Sequence, residues 1–301
     1  MCFNKQKLLG TLLGLFLFST TMLAATKLNV VAITPDFGSI AKSVGGDQVS
    51  VKVLLSQSQD LHDVYPKPSM VYTLKKADLV IRLGLGQDTW IDSLIEVARN
   101  RNLFLGQAGH LDASINIDVL EVPSGNVDGR YGDVHKEGNP HYWLDPNNAK
   151  IIAQQISDRL QTIDPKHASY YLKNTQSFIK QLDKKIFQWQ SQLKSLQQVK
   201  IVTYHKNWSY FIKAFDLNLL AYIEPFPGVA PSPRYLNKLI NQIKSENVPV
   251  HILMADYYSP KASEFIQKKT GSKLIIQAPY TRKNQTYIEF MDSLVQQLMH
   301  D

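Results

Sequence analysis

Cysteine is almost absent: Cys2 is the only one in 301 residues. No intramolecular disulfide, cysteine-ligated zinc or thiol nucleophile can therefore operate in the body of the chain. Charge of one sign is not concentrated either. The 33 Lys+Arg residues exceed the 26 Asp+Glu and give a formal net charge of +7, yet no Lys/Arg run is longer than two. A basic stripe for nucleic acid is not expected. The apolar stretch 8–18 falls short of the ~20 residues that a membrane span requires. Gly84-Leu85-Gly86 lacks the third glycine of a dinucleotide-binding turn, and no HExxH motif is present. With 44% hydrophobic and 20% charged residues, the composition excludes disordered, collagenous and coiled-coil classes.

What is present begins with a leader. Residues 1–25, MCFNKQKLLGTLLGLFLFSTTMLAA, place Lys5 and Lys7 before the apolar stretch and Ala24 and Ala25 after it. This is the order of a secretory signal peptide. A lipid-modified cysteine would follow the apolar stretch, whereas Cys2 precedes it. The mature chain is expected to be exported to the periplasm, soluble and not lipid-anchored. Its net charge is +5 once Lys5 and Lys7 are removed.

Beyond the leader, strands are expected at 28–33, 49–55, 78–83, 200–204, 217–223, 248–255 and 273–277. Several are continuous Val/Ile/Leu runs, which suit parallel strands buried on both faces. Helical stretches between them predict βαβ units. From Asp164 to Gln198 there is no glycine and no proline except Pro165, and Tyr171, Phe178, Leu182, Ile186, Trp189, Leu193 and Leu196 fall on one helix face. Asp164 is expected to cap this helix, with Pro165 at its first position. The fold class is therefore α/β: two lobes of parallel-sheet (β/α) units joined by one long rigid helix. The divisions are 1–25 leader, 26–163 first lobe, 164–198 connecting helix and 199–301 second lobe.

Eight histidines carry the chemistry. His110, His167, His251 and His300 have ordinary readings: a loop, the solvated first turn of the long helix, an alternating strand position and the chain end. The other placements are more informative. His62 follows the second expected strand across the loop SQSQD, and His205 ends the strand KIVTYH. In open α/β sheets, ligands collect outside the carboxyl ends of the strands. His141 lies in GNPHYWLDP, where Pro140 and Pro146 stiffen the turn and Trp143 offers an apolar anchor. With two of these histidines in the first lobe and one in the second, a metal site in the inter-lobe cleft is the expected product.

At these residues the chain resembles the solute-binding proteins of bacterial zinc and manganese ABC importers. LHDVYPKPSMVYTLKKADLVIRLGLG, GNPHYWLDPNNA and VTYHKNWSYFIKAFDL resemble that family's three ligand segments, while IEPFPGVAPSPRYL and YYSPKASEFIQKKTG resemble stretches of its C-terminal lobe. The resemblance implies His62, His141 and His205 as metal ligands, a metal held between two lobes, slight closure on binding and delivery to an inner-membrane ABC permease. One departure stands out. Where many members have Asp-Pro, this chain has Ala278-Pro279, so the fourth ligand is left among Asp256, Glu224 and water. SGNVDGRYGDVHKEGNP lies where zinc receptors carry a histidine-rich loop, but it holds only His135 and reads as an ordinary loop.

Three imidazoles suit Zn²⁺, whereas Mn²⁺ favours oxygen-rich sites. Zinc is thus the expected cargo ahead of manganese, with affinity falling as pH drops through the imidazole range near ~6.5. A monomeric, non-enzymatic receptor with no nucleic-acid partner follows. The rivals are a periplasmic zinc hydrolase using Asp256 or Glu224 as general base, and a receptor for a metal chelate.

Overall fold

The computed structural model describes residues 27–125 and 135–300. The expected leader and the middle of the glycine-rich stretch lie outside the described residues. Eight strands form two four-stranded parallel sheets. The first contains β1 (Leu28–Ala32), β2 (Val49–Val53), β3 (Leu79–Arg82) and β4 (His110–Asp112), in the order β2-β1-β3-β4. The second repeats that order with β5 (Lys200–Thr203), β6 (Asn218–Tyr222), β7 (Val250–Ala255) and β8 (Lys273–Gln277), arranged β6-β5-β7-β8. Among the inner strands, β3 and β7 are mostly apolar, with Arg82 and His251 the exceptions, and most of their residues are buried. Such double-sided burial is what a central parallel strand demands.

Strand β4 was not expected. Its three residues, His-Leu-Asp, offer one apolar side chain and no periodicity. His110 is accordingly not in a loop: it is buried, and its ring Nδ1 lies 2.8 Å from the Leu103 carbonyl oxygen.

The helices are α1 (Pro35–Gly45), α2 (Pro68–Lys75), α3 (Trp90–Ala98), α4 (Pro146–Ile163), α5 (Ala168–Leu193), α6 (Ser209–Ala214), α7 (Pro233–Ser245), α8 (Lys261–Thr270) and α9 (Tyr287–Met299). The long connecting helix is α5. It is shorter than expected, because residues Pro165–His167 and Lys194–Gln198 wind as tighter 3₁₀ turns. Its 26 residues span ~39 Å at ~1.5 Å per residue. Tyr171, Phe178, Leu182, Ile186, Trp189 and Leu193 are all buried on its inner face, as the spacing predicts. The helix is packed along α4 rather than standing free. Near its start, Asn174 Nδ2 donates to the Val44 carbonyl of α1 at 3.0 Å; near its end, Lys185 and Trp189 both bond Asp292 of α9.

Asp164 has a different job from the one expected. Its side chain makes no cap bond to the backbone; Oδ2 accepts from the Tyr171 hydroxyl at 2.8 Å and lies 2.6 Å from His167 Nδ1. His167 is thus paired rather than simply solvated. Burial raises the Asp164 pKa, but the bonds from His167 and Tyr171 outweigh it and hold the carboxyl below the usual range. A depressed carboxyl contributes stability that is present above its unfolded pKa of ~3.9 and is lost as pH falls through the folded value. Asp164→Asn should therefore lower the melting temperature at pH 7 and flatten its fall below about pH 4. Equal slopes in acid titrations of the two proteins would contradict this.

One apolar core runs from the first sheet through α4 and α5 to α9, while a smaller one lies between the second sheet and α7 and α8. Trp143 sits where the two halves meet. It is fully buried, stacks on Tyr280 with ring centroids 5.4 Å apart, and donates from Nε1 to the Pro279 carbonyl at 3.0 Å. The anchor role expected of it is therefore seen. Alongside, the Thr281 N–H donates to Asp36 Oδ1 of α1 at 3.2 Å.

Candidate metal centre

Three loops at strand ends converge between the sheets. His62 is carried by the loop after β2. Asp60 shapes that loop by accepting the His62 backbone N–H at Oδ1, 3.1 Å away, in a side-chain turn. His205 follows β5 after Tyr204 alone and precedes the 3₁₀ turn Lys206–Trp208. His141 enters from the segment before α4, whose first turn is fixed by Asp145 accepting from the Asn147 N–H and by Pro146. Gly138 makes the approach feasible: at φ +100° a Cβ there would sit 2.4 Å from a Val119 methyl.

The three rings meet. His62, His141 and His205 each offer one ligand atom, and these atoms lie within 4.8 Å of one another. Ring centroids are 5.4–5.7 Å apart. His141 and His205 are buried and His62 is nearly so. Outer partners set the tautomers. His141 Nδ1 donates to Asn139 Oδ1 at 2.9 Å, and Asn139 is itself held by donating to the Lys206 carbonyl at 2.8 Å. His205 Nδ1 is 2.7 Å from Glu224 Oε2, which also accepts the Gly228 N–H. In both rings Nδ1 is therefore occupied and Nε2 is left with its lone pair. His62 Nε2 is buried and has no hydrogen-bond partner.

Burial, reinforced by the neighbouring His205, pushes the His62 pKa down to about 3. Burial likewise holds the His141 pKa well below the usual imidazole value. Both imidazoles are neutral far below pH 6.5, so the expected loss of metal near the free-histidine pKa does not apply to them. No proton has to leave either ring before a cation enters at neutral pH.

Neither carboxylate nominated from the sequence joins the three rings. Glu224 stands behind His205 as a hydrogen-bond acceptor. Asp256 is paired with Arg282. Ala278 is buried beside Pro279, whose carbonyl is committed to Trp143. A general base for hydrolysis at the centre is therefore not found at either position.

His135 departs from the ordinary-loop reading. It stacks on His62 with centroids 4.7 Å apart, and its Nδ1 faces Gln87 Nε2. Burial, then the charges of His62 and His205, lower its pKa to about 3. Glu121 closes the same side of the pocket. It accepts from Ser209 and Tyr222 hydroxyls at 2.8 and 3.0 Å and pairs with Lys206. Sequence reasoning also missed Asn139 and Asn207, each two residues from a site histidine. Asn207 Nδ2 lies 3.0 Å from both His141 Nε2 and the Tyr257 hydroxyl. The signal was present in NPH and HKN, but a neutral amide carries no ligand pattern of its own.

Residues 30–300 match the family described as ZnuA, zinc-uptake complex component A, periplasmic. The manganese ABC transporter substrate-binding lipoprotein PsaA of Streptococcus pneumoniae is 27% identical over 260 residues, which is 81% of this chain and 81% of that one. A crystal structure of ZnuA superposes with a TM-score of 0.76 at 24% identity, covering 91% of this chain and 98% of the other. The laminin-binding adhesin Lmb of Streptococcus agalactiae, solved as a mutant, gives 0.73 at 26% identity over 90% and 99%. With the match running across both sheets and the helix between them, this chain belongs to the ZnuA family of metal-binding receptors of ABC importers.

Proposed function

We propose that this protein is the soluble periplasmic receptor of a zinc importer, holding Zn²⁺ through His62, His141 and His205 and passing it to an inner-membrane ABC permease. The carrying observation is the convergence of three preorganised imidazoles, with no carboxylate in the cluster among the described residues. Nitrogen donors in a compact site suit zinc, whereas manganese is better served by oxygen. The pneumococcal relative is named for manganese and as a lipoprotein. Here the donor set differs from an oxygen-rich one, and Cys2 stands before the apolar stretch rather than after it. A monomer without a nucleic-acid partner completes the reading. Release then requires the permease to distort the centre, since three preorganised ligands hold tightly. Competition calorimetry with Zn²⁺ and Mn²⁺ tests it: zinc should bind at least a hundredfold more tightly, and equal affinities would sink the assignment.

Glu224 is expected to matter although it is not among the ligands. A carboxylate behind a ligating imidazole fixes the tautomer and raises the donor's basicity, and losing such a partner commonly costs 10–100-fold in affinity. Glu224→Gln should weaken zinc binding about tenfold while leaving the fold unchanged by circular dichroism. An unaltered titration would remove it from the zinc-orienting set.

A further inference from the structure

We propose that Asn207 supplies the fourth ligand through its side-chain amide oxygen, an inference that rests on the three-histidine zinc reading above. Asn207 is fully buried, and its Oδ1 is a buried atom without a hydrogen-bond partner. Buried lone pairs left unpaired need an explanation, and an ion is one of the few that serve. His62 Nε2 is in the same condition. With His135 Nε2, three buried polar atoms without a hydrogen-bond partner thus lie at or beside one centre.

The distances fit a coordination shell. Asn207 Nδ2 is 3.0 Å from His141 Nε2. In a tetrahedron with metal–nitrogen bonds of about 2.0–2.1 Å, neighbouring ligand atoms are about 3.3 Å apart. Without metal, the amide N–H caps the His141 lone pair. With metal, that lone pair is needed, and a half-turn about the last torsion of Asn207 exchanges nitrogen for oxygen at almost the same place. The Tyr257 hydroxyl, 3.0 Å from that atom, accepts from the amide before the turn and donates to its oxygen afterwards. A neutral oxygen donor then completes a site whose other residues are neutral imidazoles. Two rivals stand beside it: His135, whose Nε2 is also buried without a hydrogen-bond partner and whose ring stacks on His62, and Asp60, with Oδ1 at 3.9 Å from His62 Nε2. That oxygen is already accepting the His62 backbone N–H.

The sign of one mutational effect separates a ligand from a hydrogen-bond competitor. If Asn207 ligates, Asn207→Ala weakens Zn²⁺ binding at least tenfold. If it only caps the His141 lone pair, removing it leaves affinity unchanged or raises it, and the proposal falls. It falls equally if Asn207→Ala is silent while Asp60→Asn loses tenfold. Should Asn207→Ala fail to fold, the wild-type protein loaded with Co²⁺ decides. Relaxation of ¹⁷O-labelled water should show no exchangeable water on the metal, and a directly bound water would overturn the assignment. Wild-type protein that takes up no zinc, or histidine variants that bind normally, would instead defeat the three-histidine reading itself.

Discussion

Replacing His141 by alanine is expected to lower zinc affinity by more than a hundredfold, about 2.8 kcal/mol. Of the three histidines it is the most completely buried, and its ring is fixed at both ends, by Asn139 at Nδ1 and Asn207 at Nε2. Water entering in its place would give a weaker donor in a pocket shaped for a ring. His62→Ala and His205→Ala should each cost at least tenfold, about 1.4 kcal/mol. His62 is expected to be the milder because it is slightly exposed and has the His135 ring stacked against it. Competition titration against a chromophoric chelator measures all three, with circular dichroism to verify folding. A His141→Ala protein within threefold of wild type would remove that residue from the site.

The second large effect concerns stability. Trp143→Ala should destabilise the protein by roughly 3–5 kcal/mol, the usual cost of emptying a buried tryptophan site. The loss has three parts: the cavity, the stack on Tyr280 and the Pro279 carbonyl left without its donor. At this chain length the melting temperature should fall by on the order of 10 °C. Trp143→Phe keeps a ring in the stack and should recover more than half of the difference. Because His141 lies two residues away with its ring 5.4 Å from the indole, zinc affinity should fall along with stability. A drop of less than 2–3 °C would show that the site can collapse around the smaller side chain, as some cores do.

Much of this organisation was legible in the chain, for identifiable reasons. Strands β3 and β7 could be read because they are almost wholly Val, Ile, Leu, Met and Ala, and α5 because its buried positions recur at helical spacing. His62 and His205 could be singled out because loops at the carboxyl ends of parallel strands are where sheets of this kind expose functional groups, and His141 because Pro140 and Pro146 stiffen its turn. Strand β4 could not be seen, since its single leucine forms no pattern. Asp164 does stand at the start of the turn leading into α5 with Pro165 after it, as expected, but its carboxylate is taken by His167 and Tyr171 instead of the backbone. Contacts between the two halves were hidden for a different reason. Trp143 and Pro279 are separated by 136 positions, and no local pattern encodes such a meeting. The outer partners of the histidines are equally mute: Glu224 presented itself as a possible ligand, and only its position behind His205 shows which side of the ring it serves.

The split of the core has a consequence for the order of folding. The second sheet closes its own small core with α7 and α8, all within residues that are neighbours in the chain. The larger core is not closed until α9 packs on α5, where Tyr287 meets Phe178, and reaches α1 near the start of the described residues. Contacts of that sequence separation are slow to form, because a long loop must be ordered before they repay it. The part of the larger core that α9 covers therefore stays uncovered until residues 287–299 are in place. Loss of the C-terminal helix would leave the amino-terminal core unfinished, although the two ends lie at opposite termini.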